Sequence, residues 1–346
     1  ITTMKVCRFF ILPLMTVLCM ACQNDEPGQY TQLTDENYAL AESQIIFADY
    51  VNRAAQFTGT NGVGVLYHVR TAADPNDKTV VRINFDTRYS FAVLDLTCDA
   101  TITMPETNGR YQSIWFVTEE HYNPMAITAP GTYTITQKDM GSKYVLAIFR
   151  TQVNMRDEAD MQVVTQLQDA ITITQADRGE YIVTNNWNMD DVLAMRKKYQ
   201  DIAVEKNIPT SEMFGKKGEV SLENHNCGVA CGWGGFTPDQ AVYLNYTNNQ
   251  NKPCTLLLKN VPVADNAFWS VTVYDSDGYP QGEYYNCNSS FAISNALGEV
   301  LIHFGGNDKT ADNYLDIFPG WTFILRLYLP QEAYFNGTWQ QPALVY

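Results

Sequence analysis

The chain has 346 residues, 45% of them hydrophobic, which is enough to bury one large core or, as expected here, two ordinary ones. Its 38 acidic and 23 basic residues leave a formal charge of −15. That charge repels phosphates and anionic lipid and excludes nucleic-acid binding through a broad basic face.

At the N-terminus, Lys5 and Arg8 precede an apolar run from Phe9 to Met20. The run is short for a bilayer span but fits the hydrophobic region of a signal peptide over residues 1–22. Cys22 after Ala21 looks like the lipid-modified cysteine of a bacterial lipoprotein, although Cys19 stands where Leu is usual. An ordinary secretory signal and an uncleaved anchor are the alternatives. The expectation is an exported protein at the periplasmic face of a membrane or at the cell surface, touching lipid through the anchor only. Residues 23–36 read as a polar tether. Export favours disulfides among Cys98, Cys227, Cys231, Cys254 and Cys287, with one thiol left over from the odd count.

Thr34-Asp35 caps a helix expected over about Asn37 to Phe57, where Ala41, Ile45, Ala48 and Ala55 recur at helical spacing and Gly59 follows. Strands are expected at Gly64–Arg70, Thr79–Ile83, Ser90–Leu96, Ala100–Met104, Tyr111–Val117, Gly131–Ile135 and Tyr144–Thr151, with turn clusters such as Asp74-Pro75-Asn76-Asp77 between them. Two further helices are expected, over Asp157–Ala170 and Met189–Lys206. The polar stretch 207–224 sets the boundary between an N-terminal β domain with flanking helices (37–215) and a C-terminal β-sandwich domain (216–346).

Strand patterns return from Tyr243. In 268–274, Trp269, Val271 and Val273 share one face, with Phe268, Ser270, Thr272 and Tyr274 on the other. In 323–329, Phe323, Leu325, Leu327 and Leu329 oppose Ile324, Arg326 and Tyr328. A 12% aromatic content with 21 tyrosines suits such pleated surfaces. The fold class expected is mainly β with a few helices, α+β, as two antiparallel β domains.

Charge within apolar strands marks the candidate site. Asn84, Asp86 and Tyr89 crowd with two arginines into an apolar stretch, where polar groups are costly unless satisfied. Asp86 bonding its own turn is the structural alternative to facing a ligand. Arg326 needs a carboxylate partner or an anionic ligand, with Asp275 and Asp86 as candidates. His121, after Glu119-Glu120, is a candidate base or an ordinary surface histidine.

The motifs Asn84-x-Asp86-Thr87-x-Tyr89-Ser90, Gly109-Arg110-Tyr111, His121-Tyr122, Gly232-Trp233-Gly234-Gly235 and Arg326-Leu327-Tyr328 occur in order. With Phe268-Trp269-Ser270 and Gly320-Trp321, they resemble the paired domains of unknown function 1254 (N-terminal) and 1214 (C-terminal) over roughly residues 37–342. Arg88 departs from the usual Leu, and the region Asn286–Asn295 departs as well. The resemblance implies two β domains, the second jelly-roll-like, without a settled activity.

His225-x-Cys227-(3)-Cys231 offers too few ligands for zinc, and its relatives carry other residues there, so a disulfide is expected and no metal. No cofactor is predicted, and the Walker A, GxSxG, HExxH and GxGxxG patterns are absent. Two functions follow. One is a hydrolase acting on a small polar or carboxylated compound in a cleft between the domains, using Asp86, His121 and Arg326 with Asn84, Tyr89 and Tyr274 around them. The other is a non-catalytic lipoprotein that binds a small molecule or carbohydrate on Trp233, Trp269 and Trp321. A homo-oligomer is left open.

Overall fold

The computed structural model describes residues 29–78 and 81–346. The expected signal segment, its Cys22 and the first part of the tether lie outside them. No helix among the described residues is long and apolar enough to cross a membrane.

The N-terminal half runs α1 (Tyr38–Thr58), β1 (Tyr67–His68), β2 (Thr87–Asp95), β3 (Ala100–Met104), β4 (Gln112–Thr118), β5 (Ala126–Ile127), β6 (Gly131–Ile135), α2 (Gln137–Met140), β7 (Tyr144–Gln152), α3 (Glu158–Asp169), β8 (Thr172–Gln175), α4 (Met189–Glu205) and α5 (Leu222–Gly232). β1-β2-β7-β4-β5 form an antiparallel sheet that stacks on the smaller sheet β6-β3-β8. Alternation decides what each face buries. Leu94, Ile114, Phe116, Ala147 and Phe149 point to the small sheet. Phe91, Val93, Trp115, Leu146 and Ile148 point the other way, onto a layer containing α1, α4 and α5.

Most expected elements form close to their expected limits. Asp157 caps α3 and Asn188 caps α4, each accepting from two backbone N–H groups of the first turn. The expected strand at 79–83 does not form over its described part: residues 81–83 make a turn and coil, with Arg82 at φ 56°. α5 was not foreseen. Gly228 and Gly232 interrupt its apolar stripe, and Gly228 is there because the Met213 carbonyl would lie 2.7 Å from a Cβ.

The C-terminal half adds β9 (Ala241–Tyr246), β10 (Cys254–Leu258), β11 (Trp269–Tyr274), β12 (Asn286–Asn288), β13 (Val300–Phe304), β14 (Tyr314–Leu315), β15 (Thr322–Tyr328) and α6 (Glu332–Phe335). The sheets β12-β11-β15-β9 and β10-β13-β14 enclose one core that includes Trp269, Val271, Val273, Phe323, Leu325 and Leu327. Pairing is antiparallel except between β13 and β14. The chain is therefore mainly β with a few helices, as its alternation implies.

The outer face of β11 and β15 carries Ser270, Thr272, Tyr274, Ile324, Arg326 and Tyr328, all buried. It is buried because the first half of the chain lies on it. Phe268 and Tyr328 pack on Tyr111 at ring separations of 5.5 and 5.4 Å, and Phe85 clusters with Tyr274 and Ile324.

The expected disulfides are corrected by this arrangement, in which all five downstream cysteines are thiols. Cys227 and Cys231 lie one turn apart on α5, where successive Cβ atoms tilt alike toward the helix N-terminus and do not converge. Cys254 and Cys287 come from the two sheets that enclose the second core, and their sulfurs are not bonded.

Candidate functional site

The lead-in to β2, residues 82–86, is clasped by the second domain. Arg326 is fully buried, and its Nη2 donates to the Arg82 carbonyl at 3.2 Å and to the Tyr274 hydroxyl at 2.7 Å. The Tyr274 hydroxyl donates in turn to the Ile83 carbonyl at 2.8 Å. Arg326 Nη1 donates to Thr272 Oγ1, which also accepts from Asn286 Nδ2. Asn286 and Asn288 each donate to Asp86 Oδ1 at 3.0 Å, and the Asp86 backbone N–H donates to Asn84 Oδ1 at 2.7 Å. Asp86 Oδ2 has no hydrogen-bond partner among the described residues. Burial opposes the Arg326 charge, but Tyr274, Tyr328 and Asp86 favour it and leave its pKa above the ordinary value. Asp86 and Arg326 thus belong to one buried polar network, as the cost of burying either alone requires.

Beside this network is an interdomain cavity enclosing about 60 Å³, several times the roughly 10–15 Å³ that one water needs. Asn84, Tyr89 and Arg150 line it from the first domain, and Tyr243 and Tyr328 from the second sheet. The Gly232–Phe236 turn closes it. Of the residues singled out in the sequence, Asn84, Tyr89 and Trp233 reach the wall. Asp86, Tyr274 and Arg326 are not among the lining residues. Trp269 and Trp321 are packed inside the second core, so the expected stacking surface on them is corrected.

His121 also lies outside the lining. It is 1% exposed at φ 66°, and its Nε2 accepts from the Gly234 N–H at 2.8 Å, which requires a neutral ring with the proton on Nδ1. Burial, helped by nearby His225, pushes its pKa well below the usual imidazole range.

The residue that sequence reasoning missed is Arg150. It stands opposite Tyr89 on β2 and Ser113 on β4, on the face of β7 shared with Leu146 and Ile148. Its guanidinium lies 3.9 Å from the Phe236 ring centroid and 5.3 Å from that of Tyr89. It is 6% exposed, and Nη1 has no hydrogen-bond partner among the described residues. No aspartate or glutamate pairs with it among them either. Burial works against its charge, and the phenols of Tyr89, Tyr111 and Tyr243 more than offset that.

The other polar groups on the wall are poised as donors. Asn84 Nδ2 donates to the Tyr328 hydroxyl at 2.9 Å and to that of Tyr89 at 3.4 Å, so each phenol receives a hydrogen and keeps its own to give. Burial holds the Tyr328 pKa well above its usual value and pushes Tyr243 up to about 12, so both stay protonated at neutral pH. Among the described residues no Asp, Glu or His lines the cavity. Among the described residues no three His, Cys, Asp or Glu side chains gather as metal ligands do.

Family models match at two places. Residues 63–175 match the protein of unknown function DUF1254, and residues 245–332 match DUF1214. The chain belongs to the family that pairs these two domains. The cavity joins both members of the DUF1254–DUF1214 pair, with Asn84, Tyr89 and Arg150 in the first matched segment and Tyr328 in the second. The VPA0106 protein from Vibrio parahaemolyticus has a similar fold, with a TM-score of 0.58 at 16% identity over 89% of this chain and 99% of that one. An uncharacterised protein from Burkholderia cenocepacia matches at a TM-score of 0.47 and 12% identity, over 89% and 85%. No curated protein matches the chain.

Because Arg326 compensates buried Asp86 and lies outside the cavity wall, Arg326→Gln is expected to destabilise the protein by about 3–5 kcal/mol. Urea denaturation measures this. A loss under about 1 kcal/mol would remove Arg326 from its structural role.

Proposed function

We propose that the interdomain cavity binds a small carboxylate-bearing molecule, with Arg150 as its counter-charge and Tyr89 and Tyr328 as hydrogen-bond donors. The observation that carries this reading is the buried Arg150 guanidinium, open at Nη1 and without an ionic partner among the described residues. An isolated charge in such a place costs several kcal/mol, which an anionic ligand would offset. A planar guanidinium also matches a carboxylate in shape. The wall favours binding over hydrolysis, because it offers donors without an Asp, Glu or His to act as general base.

We also propose that the chain is exported and held to a membrane through Cys22, as its first 22 residues suggest. Cys22→Ser should then move the protein from the membrane fraction to the soluble one without changing its melting temperature. Unchanged membrane partition would point to an uncleaved anchor.

Acetate and propionate should raise the melting temperature of the wild type, and acetamide, their neutral counterpart, should not. Arg150→Gln should weaken acetate binding roughly 10- to 100-fold, equivalent to the 1.5–3 kcal/mol typical of a charged hydrogen bond. It should not destabilise the unliganded protein, since it removes an uncompensated buried charge. Calorimetric titration of both proteins is the test. Equal responses to acetate and acetamide, or full affinity in Arg150→Gln, would sink the proposal.

A further inference from the structure

We propose that His121, backed by His225, is a positioning residue that fixes the glycine turn of the cavity wall and gives ligand binding an acid limit. The inference rests on the anion-binding reading of the cavity and adds its regulation. The Gly232–Phe236 turn is held from three sides. Gly234 donates to His121 Nε2, Gly235 O accepts from Trp115 Nε1 at 3.1 Å, and Trp233 Nε1 donates to Ser43 Oγ at 3.0 Å. The ring of Phe214 lies where a Cβ on Gly235 would have to be, so the turn cannot relax toward that side. Of the three bonds, only the one to His121 can be broken by a proton. An imidazolium Nε2 is a donor and would face the donor N–H of Gly234.

The histidine pair is built for neutrality. His225 Nε2 donates to the Glu120 carbonyl at 2.9 Å, which leaves its Nδ1 as an acceptor, whereas His121 Nδ1 carries the proton. Both Nδ1 atoms are without hydrogen-bond partners among the described residues, and the rings are 5.5 Å apart. Burial lowers the pKa of both rings, and each additional positive charge here would meet the other ring. The groups facing the pair are few. On the same loop, Glu120 is paired to Lys217 at 2.6 Å, and Glu119 accepts from Tyr181 and from Gln44 of α1. Tyr122 stacks on His225 at 4.4 Å, and Trp233 and Phe214 cover His121 at 5.2 and 6.1 Å. Among the described residues no carboxylate is hydrogen-bonded to either ring. In the unfolded chain His121 takes its proton near 6.5, in the folded chain only at lower pH. Stability is therefore fully present above about pH 6.5 and is lost as pH falls toward the folded value.

Nitrate serves as the probe, being planar like a carboxylate and anionic throughout. As pH is lowered from 7.5 into the range well below 6.5 where His121 takes its proton, wild-type nitrate affinity should fall at least tenfold, and the Gly234 amide resonance should shift with the same midpoint. In His121→Gln the amide oxygen can accept from Gly234 without titrating, so affinity and resonance should change less than twofold and negligibly, respectively. Glu119→Gln should keep the wild-type profile, which removes the neighbouring carboxylate as the cause. If the positive φ keeps His121→Gln from folding, His225→Phe supplies the test, because losing that ring should raise the acid midpoint. A Gly234 resonance that moves alike in wild type and His121→Gln, or a midpoint that His225→Phe leaves in place, overturns the proposal. Absence of nitrate binding at pH 7.5 with the Gly234 shift intact would overturn the cavity reading and uphold the histidine bond.

Discussion

The structure depends on how one arginine is buried. Arg326 stands fully inside the molecule on a strand whose other face is the core of the second domain. Its guanidinium cannot lose its charge, so its donors must find acceptors. They find them in the Thr272 and Tyr274 hydroxyls of the neighbouring strand and in the Arg82 carbonyl of the other domain, and Tyr274 in turn donates to the Ile83 carbonyl. The polar face of one sheet is thereby covered by a stretch that forms no strand of its own. Asp86 and Asn84 enter with that stretch, Asp86 as compensating charge and Asn84 as the amide that reaches the cavity.

The second buried arginine has a different environment. Arg150 sits on Phe236 among phenols, where cation–π contact offsets part of the cost of burial but supplies no counter-charge. Arg326 is hydrogen-bonded within the protein through both terminal nitrogens, whereas Arg150 lines the cavity. The tyrosines between them sort in the same way. Tyr274 both accepts and donates within the network, whereas Tyr328 and Tyr89 accept from Asn84 and keep a hydrogen for whatever enters. Structural and ligand-facing polarity therefore meet at Asn84, with about 60 Å³ of space on one side of it.

Much of this was legible in the sequence. Period-two alternation gave the faces of β11 and β15 correctly, because a strand side chain has only two directions to take. The improbability of a lone charge in such strands singled out Asp86 and Arg326, which the structure joins in one network. The same signature, a cation in register with Leu146 and Ile148, was present at Arg150 and went unused. What alternation could not supply was the third dimension. A tryptophan in a strand is equally suited to a core or to a ligand, and Trp269 and Trp321 proved to be core. α5 escaped because its glycines, which allow close approach to Met213, also erase its helical stripe. That residues 81–83 form no strand shows tertiary capture overriding local propensity, since Val81 and Arg82 pack against Gly278 and the Arg82 carbonyl accepts from Arg326.

The most direct test of the account is a crystal soaked in bromide and measured at the bromine absorption edge. An anomalous peak in the interdomain cavity within hydrogen-bonding distance of Arg150 Nη1, absent in Arg150→Gln crystals, is the predicted result. Bromide scattered over surface lysines, with an empty cavity in the wild type, would contradict it.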